Sequence, residues 1–312
     1  MTRSTKPSST RSTKSSSSES SDSMCDLEII GQGGSGLVFS VTHTTVIKVP
    51  IPSPFGLQAF QRERDIYQRF RKRPSEYVVE CRDTEHSSGL FLERCVESVR
   101  SRLRRMRSGD NGFPKIGDED ALALTRRWAY QAAEGLAYVH SQRVIQADVG
   151  CHNMLLDRRD DLKLADFSGS SITDMPDCPA LVTYDTRSRL PNIDEPNRAS
   201  DLFALGSAIY EMATGDLPYP SLPAREVQRL FFQREFPNLD RPGICPAIAQ
   251  VIRRCWLVDT PAGFKSTKEV ARELRCYYSG KTNREPRVAE TTPTAAKTLL
   301  ESLDGRAPSL FR

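Results

Sequence analysis

The chain has 312 residues, 38% of them hydrophobic and 27% charged, with a formal net charge of +4. That charge is too small to imply a nucleic-acid partner, and no apolar run reaches the ~18–20 residues that a membrane span needs. The eight cysteines are scattered, with no Cys-x-x-Cys pair, which argues against zinc and for thiols in a reducing intracellular compartment, cytoplasmic or nuclear.

Residues 1–23 are mostly Ser, Thr, Lys and Arg without apolar periodicity and are expected to be a disordered tail. A transit peptide is the rival reading, but no amphipathic stripe supports it. Between 24 and 278 there is enough chain for one two-lobed domain or two smaller ones. Short β-type runs at 27–30, 37–41 and 46–49 surround a glycine cluster, and the turn 42–45 joins the last two as a hairpin. A helix is expected over 53–73, then strands at 77–80 and 89–92. The basic run 98–108 reads as a solvated helix face, with binding of an acidic ligand as the alternative. From 119 the spacing turns helical and ends at His140. Strands at 154–156 and 162–164 follow, then a loop-rich stretch to about 196. Helices are expected at 201–214, 224–235, 246–256 and 266–277, and from 279 the chain becomes a polar tail. The fold class is therefore α+β, with a small β-rich N-terminal lobe (24–93) carrying one main helix and a larger helical lobe (96–278).

Three motifs carry chemistry. In Gly31-Gln-Gly-Gly-Ser-Gly36 the glycines Gly31, Gly33 and Gly36 lead into a strand. A dinucleotide-binding turn would lead into a helix, so they read as a flap between two strands. Lys48 sits in the apolar strand Val46-Ile-Lys-Val49 and is costly to bury unless a charge meets it. Glu63 on the next helix can supply one, though Asp65 is close by, and a lysine snorkelling from an edge strand stays open. Finally, Asp148, Asn153 and Asp166 occur in that order around the strand pair 154–156 and 162–164. Two of them, Asn153 and Asp166, offer the hard oxygens that Mg²⁺ prefers.

In these motifs the chain resembles the eukaryotic protein kinase superfamily over roughly residues 24–278. The wording of 145–157 and 201–212 is most similar to the divergent kinase-like proteins of filamentous fungi. The resemblance implies a two-lobed kinase fold, ATP and Mg²⁺ as cofactors, and a protein substrate. It implies that Lys48, oriented by Glu63, holds the α- and β-phosphates, and that Asn153 and Asp166 bind metal. Asp148 would align the acceptor hydroxyl. Glu63 is preferred over Asp65 because it precedes Ile66-Tyr67 as the family pattern requires. Leu92, Glu93 and Cys95 would form the hinge, with Leu92 as gatekeeper, and Val38, Val46 and Leu155 would enclose adenine.

The chain also departs from the family. Where His-Arg precedes the catalytic aspartate, Gln146-Ala147 stands, and the lysine two residues on is Gly150. His152 occupies the position where tyrosine kinases carry an arginine; it reads first as a polar loop residue, with partial replacement of the lost charge as the alternative. Asp-Phe-Gly has become Asp-Phe-Ser168. Ala147 implies that the following loop is not switched by the usual phosphate–arginine contact. The usual Ala-Pro-Glu reads Leu190-Pro-Asn192, and its partner arginine is replaced near Lys265. Losing both halves of a buried ion pair is nearly neutral, whereas losing one is costly. The implied activity is a serine/threonine protein kinase. A pseudokinase scaffold and a small-molecule kinase of the aminoglycoside or choline type are the other two readings.

Overall fold

The computed structural model describes residues 28–86, 89–108, 115–175, 180 and 187–278. Both expected tails, and 176–179 and 181–186 of the loop after Asp166, lie outside the described residues. The smaller lobe is a five-stranded antiparallel sheet of β1 (Ile29–Gln32), β2 (Gly36–Ser40), β3 (Thr45–Pro50), β4 (Cys81–Asp83) and β5 (Leu90–Glu93), in the order β1-β2-β3-β5-β4. Helix α1 (Pro54–Arg71) starts at a Ser53 N-cap whose side chain accepts from the Gly56 N–H, with Pro54 in the first turn. Its buried residues include Ala59, Phe60, Ile66, Tyr67 and Phe70 at the 3–4 spacing of an amphipathic helix, with Arg62 and Glu63 buried among them.

The strand expected at 77–80 is not one. Val78 makes a single parallel bridge to Leu164, and the Val79 N–H donates to Leu164 O at 2.9 Å. Leu164 N–H donates back to Tyr77 O at 2.9 Å, so this segment joins the small lobe to a strand of the large one. The sheet resumes only at Cys81.

The larger lobe is built from α2 (Val99–Ser108), α3 (Glu119–Ser141), α4 (Arg198–Thr214), α5 (Ala224–Phe232), α6 (Pro246–Trp256) and α7 (Thr267–Tyr278). On the side facing the cleft are two small sheets. One holds β6 (Glu97–Ser98), β8 (Met154–Leu156) and β9 (Leu162–Leu164), and the other pairs β7 (Val144–Ile145) with β10 (Ser171–Ile172). Helix α4 is buried all round, as its nearly unbroken apolar sequence requires. It begins three residues before the expected start because Asn197 and Ser200 form a capping box. A Cβ at Gly206 would lie 2.6 Å from Cys255 Cβ on α6. Gly206→Ala is therefore expected to cost about 1–3 kcal/mol, read from the denaturant midpoint. An unchanged midpoint would show that the two helices can part freely.

The basic run is a solvated face only in part: Arg104 and Arg107 are exposed, but other arginines are drawn inward. Arg100 makes a two-pronged pair with Glu211, at 2.6 and 2.9 Å. Arg102 is buried between Glu97 at 2.6 Å and Asp160 at 2.8 Å, and Arg107 pairs with Asp216. Because α2 sinks Val99, Leu103 and Met106 into the core, Arg100, Arg102, Arg105 and Arg107 are carried onto the acids around it.

Candidate active site

Lys48 points from the central strand β3 into the space between the lobes. Its Nζ lies 2.7 Å from Glu63 Oε2 on α1 and 2.9 Å from Asp166 Oδ1. Asp65, the rival acid, instead accepts from Gln61 Nε2 at 2.8 Å on the exposed side of α1. Burial pulls the Lys48 ammonium downward, but the Glu63 and Asp166 carboxylates outweigh it and hold the lysine charged. Burial pushes Glu63 up, which Lys48 and the Phe167 N–H (3.2 Å) only partly offset. Asp166 is also pushed upward by burial, yet Lys48 and the Ser168 hydroxyl (2.7 Å) bring its carboxyl down to about 2. Ser168 thus contributes a donor that glycine lacks.

Asp148, Asn153 and Asp166 meet at the mouth of the cleft. The Asn153 amide donates to Asp148 O at 3.0 Å and to Asp148 Oδ2 at 2.9 Å. His152 Nε2 lies 3.1 Å from the same Oδ2. Behind them Gln146, 1% exposed, ties the loop together. Its side-chain nitrogen donates to Ala165 O and Asp166 O at 3.2 and 3.1 Å, and its oxygen accepts from Asp148 N–H at 2.9 Å. An amide can do both at once because it carries donor and acceptor on one plane. Ala147 and Asp166 hold positive φ, 66° and 56°, a conformation that non-glycine residues keep only where neighbours enforce it. Asp201 does this for Ala147, accepting the backbone N–H groups of Gln146 and Ala147 at 2.9 Å each, and His140 Nε2 at 2.8 Å. The bridging by Gln146 had no signal in spacing beyond a polar residue beside the apolar pair Val144-Ile145.

A cavity of about 510 Å³ between the lobes is lined by Gly31, Gly33, Gly36, Val38, Val46, Lys48, Glu63, Leu92, Glu93, Cys95 and Leu155, with Asn153 and Asp166 at its floor. That size suits a nucleotide-sized ligand. A second cavity of about 380 Å³ adjoins it and is lined by Asp148, His152, Asn153, Asp166, Ser168 and Phe55. A larger one, about 710 Å³, lies behind Tyr67 and Phe70 and contains none of Lys48, Asp148, Asn153 or Asp166. Gly36 is required where the flap meets β3, since a Cβ there would stand 2.6 Å from Val49 O, whereas Gly33 faces open space. In the segment that leaves β5, Glu93, Arg94 and Val96 direct their N–H groups to Glu80, Thr44 and Leu156 carbonyls. The Glu93 side chain turns to Lys163 at 3.0 Å, and Cys95 faces the cleft, its thiol pushed up to about 12 by burial.

The segment after Asp166 is tied down without an arginine at 147. Ser171 and Ile172 pair with Ile145 and Val144, and Thr173 N–H donates to Arg143 O at 2.8 Å. Asp174 takes Arg69 of α1 at 2.8 Å and Arg143 at 3.4 Å. Asp174→Ala should speed amide exchange at Thr173 and Met175 while moving Tm by less than about 3 °C, since exposed pairs add little to global stability. Unchanged exchange would mean that the strand pair alone holds this segment. Farther on, Asn192 adopts φ 56°, and Lys265 donates locally to Thr260 O. The neighbouring Arg254 stacks on Phe264 at 3.8 Å and pairs with Glu273.

A family model described as the protein kinase domain matches residues 25–260. The chain belongs to the protein kinase domain family. It is similar to mitogen-activated protein kinase kinase 7 of Arabidopsis thaliana, 28% identical over 62% of this chain and 64% of that protein. A second Arabidopsis relative, mitogen-activated protein kinase kinase 9, is 27% identical over 63% of this chain and 66% of its own length. A probable serine/threonine-protein kinase of Dictyostelium discoideum is 30% identical over 52% of this chain and 12% of that protein. The kinase domain thus spans just under two thirds of its two plant relatives and about an eighth of the amoebal one. Among its described residues no helix is long and apolar enough to cross a membrane.

Proposed function

We propose that this kinase domain is an ATP- and Mg²⁺-dependent serine/threonine protein kinase. The observation that carries this reading is a pair of adjoining cavities that share Asn153 and Asp166, with Asp148 lining the second and Lys48 reaching Asp166 from the first. The donor set fits a magnesium nucleotide. Asp166 offers an ionised carboxylate, and the Asn153 amide nitrogen is turned to Asp148, which leaves its oxygen for the metal. When bound, Mg²⁺ neutralises charge on the phosphate oxygens.

In this reading Lys48, held by Glu63, binds the α- and β-phosphates, and the flap from Gly31 to Gly36 covers them with backbone N–H groups. Val38, Val46 and Leu155 enclose the adenine, Leu92 closes the back of its site, and the backbone at Glu93 and Cys95 reads its polar edge. Asp148 accepts the hydrogen bond of the acceptor hydroxyl and turns it toward the phosphorus, so that catalysis is positioning and charge stabilisation. The name of the Dictyostelium relative supports serine or threonine as acceptor. The wording of 145–157 and 201–212 supports kinship with the divergent kinase-like proteins of filamentous fungi. A radiolabelled peptide array with ATP and Mg²⁺ tests the acceptor class. Label on serine or threonine peptides is expected, and label on tyrosine peptides alone would overturn it. Label on choline or an aminoglycoside but on no peptide would replace the protein substrate by a small molecule.

A further inference from the structure

Gly150 and His152 are two separate departures in sequence, but in space they are one. A Cβ built on Gly150 would stand 2.7 Å from both Cε1 and Nδ1 of His152. The imidazole therefore lies in the room that any side chain at 150 would claim. From there its Nε2 reaches Asp148 Oδ2 at 3.1 Å, and the ring lines both the nucleotide cavity and the adjoining acceptor cavity. Its Nδ1 is buried against the loop without a hydrogen-bond partner among the described residues, so packing on Gly150 and the Nε2 contact together set the ring's position.

We infer that His152, admitted by the absence of a side chain at Gly150, is a positioning residue that fixes the rotation of the Asp148 carboxylate. With His152 Nε2 and Asn153 Nδ2 both on Oδ2, that oxygen has two donors and Oδ1 is presented to the acceptor hydroxyl. A lone Asn153 contact would leave the carboxylate one restraint fewer. Gly150 thus removes the lysine that serine/threonine kinases place at this position and at the same time makes room for a different donor. The inference rests on the kinase reading above, with Asp148 as the acceptor-aligning group.

The test uses the full chain with ATP, Mg²⁺ and a peptide from the array. His152→Ala is expected to lower kcat about 10- to 100-fold, the range for a misplaced catalytic group. The KM for ATP should stay within about twofold, because the hydrogen bond lost is the one to Asp148 and the ring is a minor part of the nucleotide cavity's lining. His152→Gln, which keeps an N–H donor at similar reach, should restore most of the rate. Gly150→Ala should lower kcat in the native background and have no further effect on His152→Ala, since the ring it displaces is already gone. A second readout is independent of activity. The chain has four histidines, so its imidazole ¹⁵N–¹H resonances are few enough to assign. The His152 resonance should move in Gly150→Ala and in Asp148→Asn. Unchanged kcat in His152→Ala, additive effects of the two substitutions, or a His152 resonance indifferent to Gly150→Ala would each overturn the coupling. If the native chain transfers no more phosphate than Asp148→Asn, the kinase reading fails instead, and the resonance alone decides whether ring and glycine are joined.

Discussion

Asp148→Asn is expected to reduce phosphate transfer by about 10²–10⁴-fold while nucleotide binding persists. The carboxylate lines the second cavity beside Asn153 and Asp166, with Oδ2 already engaged by Asn153 and His152, and the Asp148 backbone N–H engaged by Gln146. An amide cannot serve there. If its oxygen stays toward the two donors, the NH₂ faces the acceptor hydroxyl, which then has no group to accept its proton. If it flips, a donor meets donors. The Lys48, Glu63 and Asp166 cluster is untouched by the change, so ATP affinity should remain within about threefold by titration calorimetry. Radiolabel transfer at saturating ATP measures the loss. Equal transfer by both proteins would remove Asp148 from the reaction and favour a contaminating activity or a scaffold role.

The second large effect is expected at a buried residue beneath the Asp148 loop. Asp201→Ala should destabilise the domain by about 3–5 kcal/mol, the range for breaking a buried charged network. Asp201 is 1% exposed and accepts from two consecutive backbone N–H groups and from the His140 ring. Each donor left buried without an acceptor costs about 1–3 kcal/mol. Ala147 would also lose the contact that holds its φ at 66°, so the strained loop could relax and carry Asp148 with it. Chemical denaturation measures the stability, and transfer activity at a temperature where the variant is still folded measures the loop. A loss below about 1 kcal/mol would mean that water replaces the carboxylate, contrary to the burial of this site.

Much of the site could be read along the chain because its groups come in short local spacings. Asp148 to Asn153 is one loop, and the strands 154–156 and 162–164 were expected with the ends they have. Alternation of apolar residues and a turn at 157–161 are local properties, and no distant contact opposes them here. Residues 77–80 failed for the opposite reason. Tyr77-Val-Val has strand composition, but its backbone groups are taken by Leu164 of the other lobe, a partner 80-odd positions away that no window can see. For the basic run 98–108 the solvated reading holds at the exposed Arg104 and Arg107 and fails at Arg100 and Arg102. Those last two look like part of a solvated face until Glu97, Asp160 and Glu211 are brought around them.

The sequence by itself determined the two-part architecture, the order of the glycine flap, Lys48, Asp148, Asn153 and Asp166, and the departures at 146, 147, 150 and 168. These are matters of residue type and spacing, which covalent connectivity carries intact. Only the tertiary structure decided what the departures do. It placed the Gln146 amide between two backbone segments, the Ser168 hydroxyl on Asp166, and the His152 ring in the space beside Gly150. The physical reason is that hydrogen bonds and excluded volume act over a few ångströms in space, and folding, not proximity along the chain, sets which atoms fall within that reach.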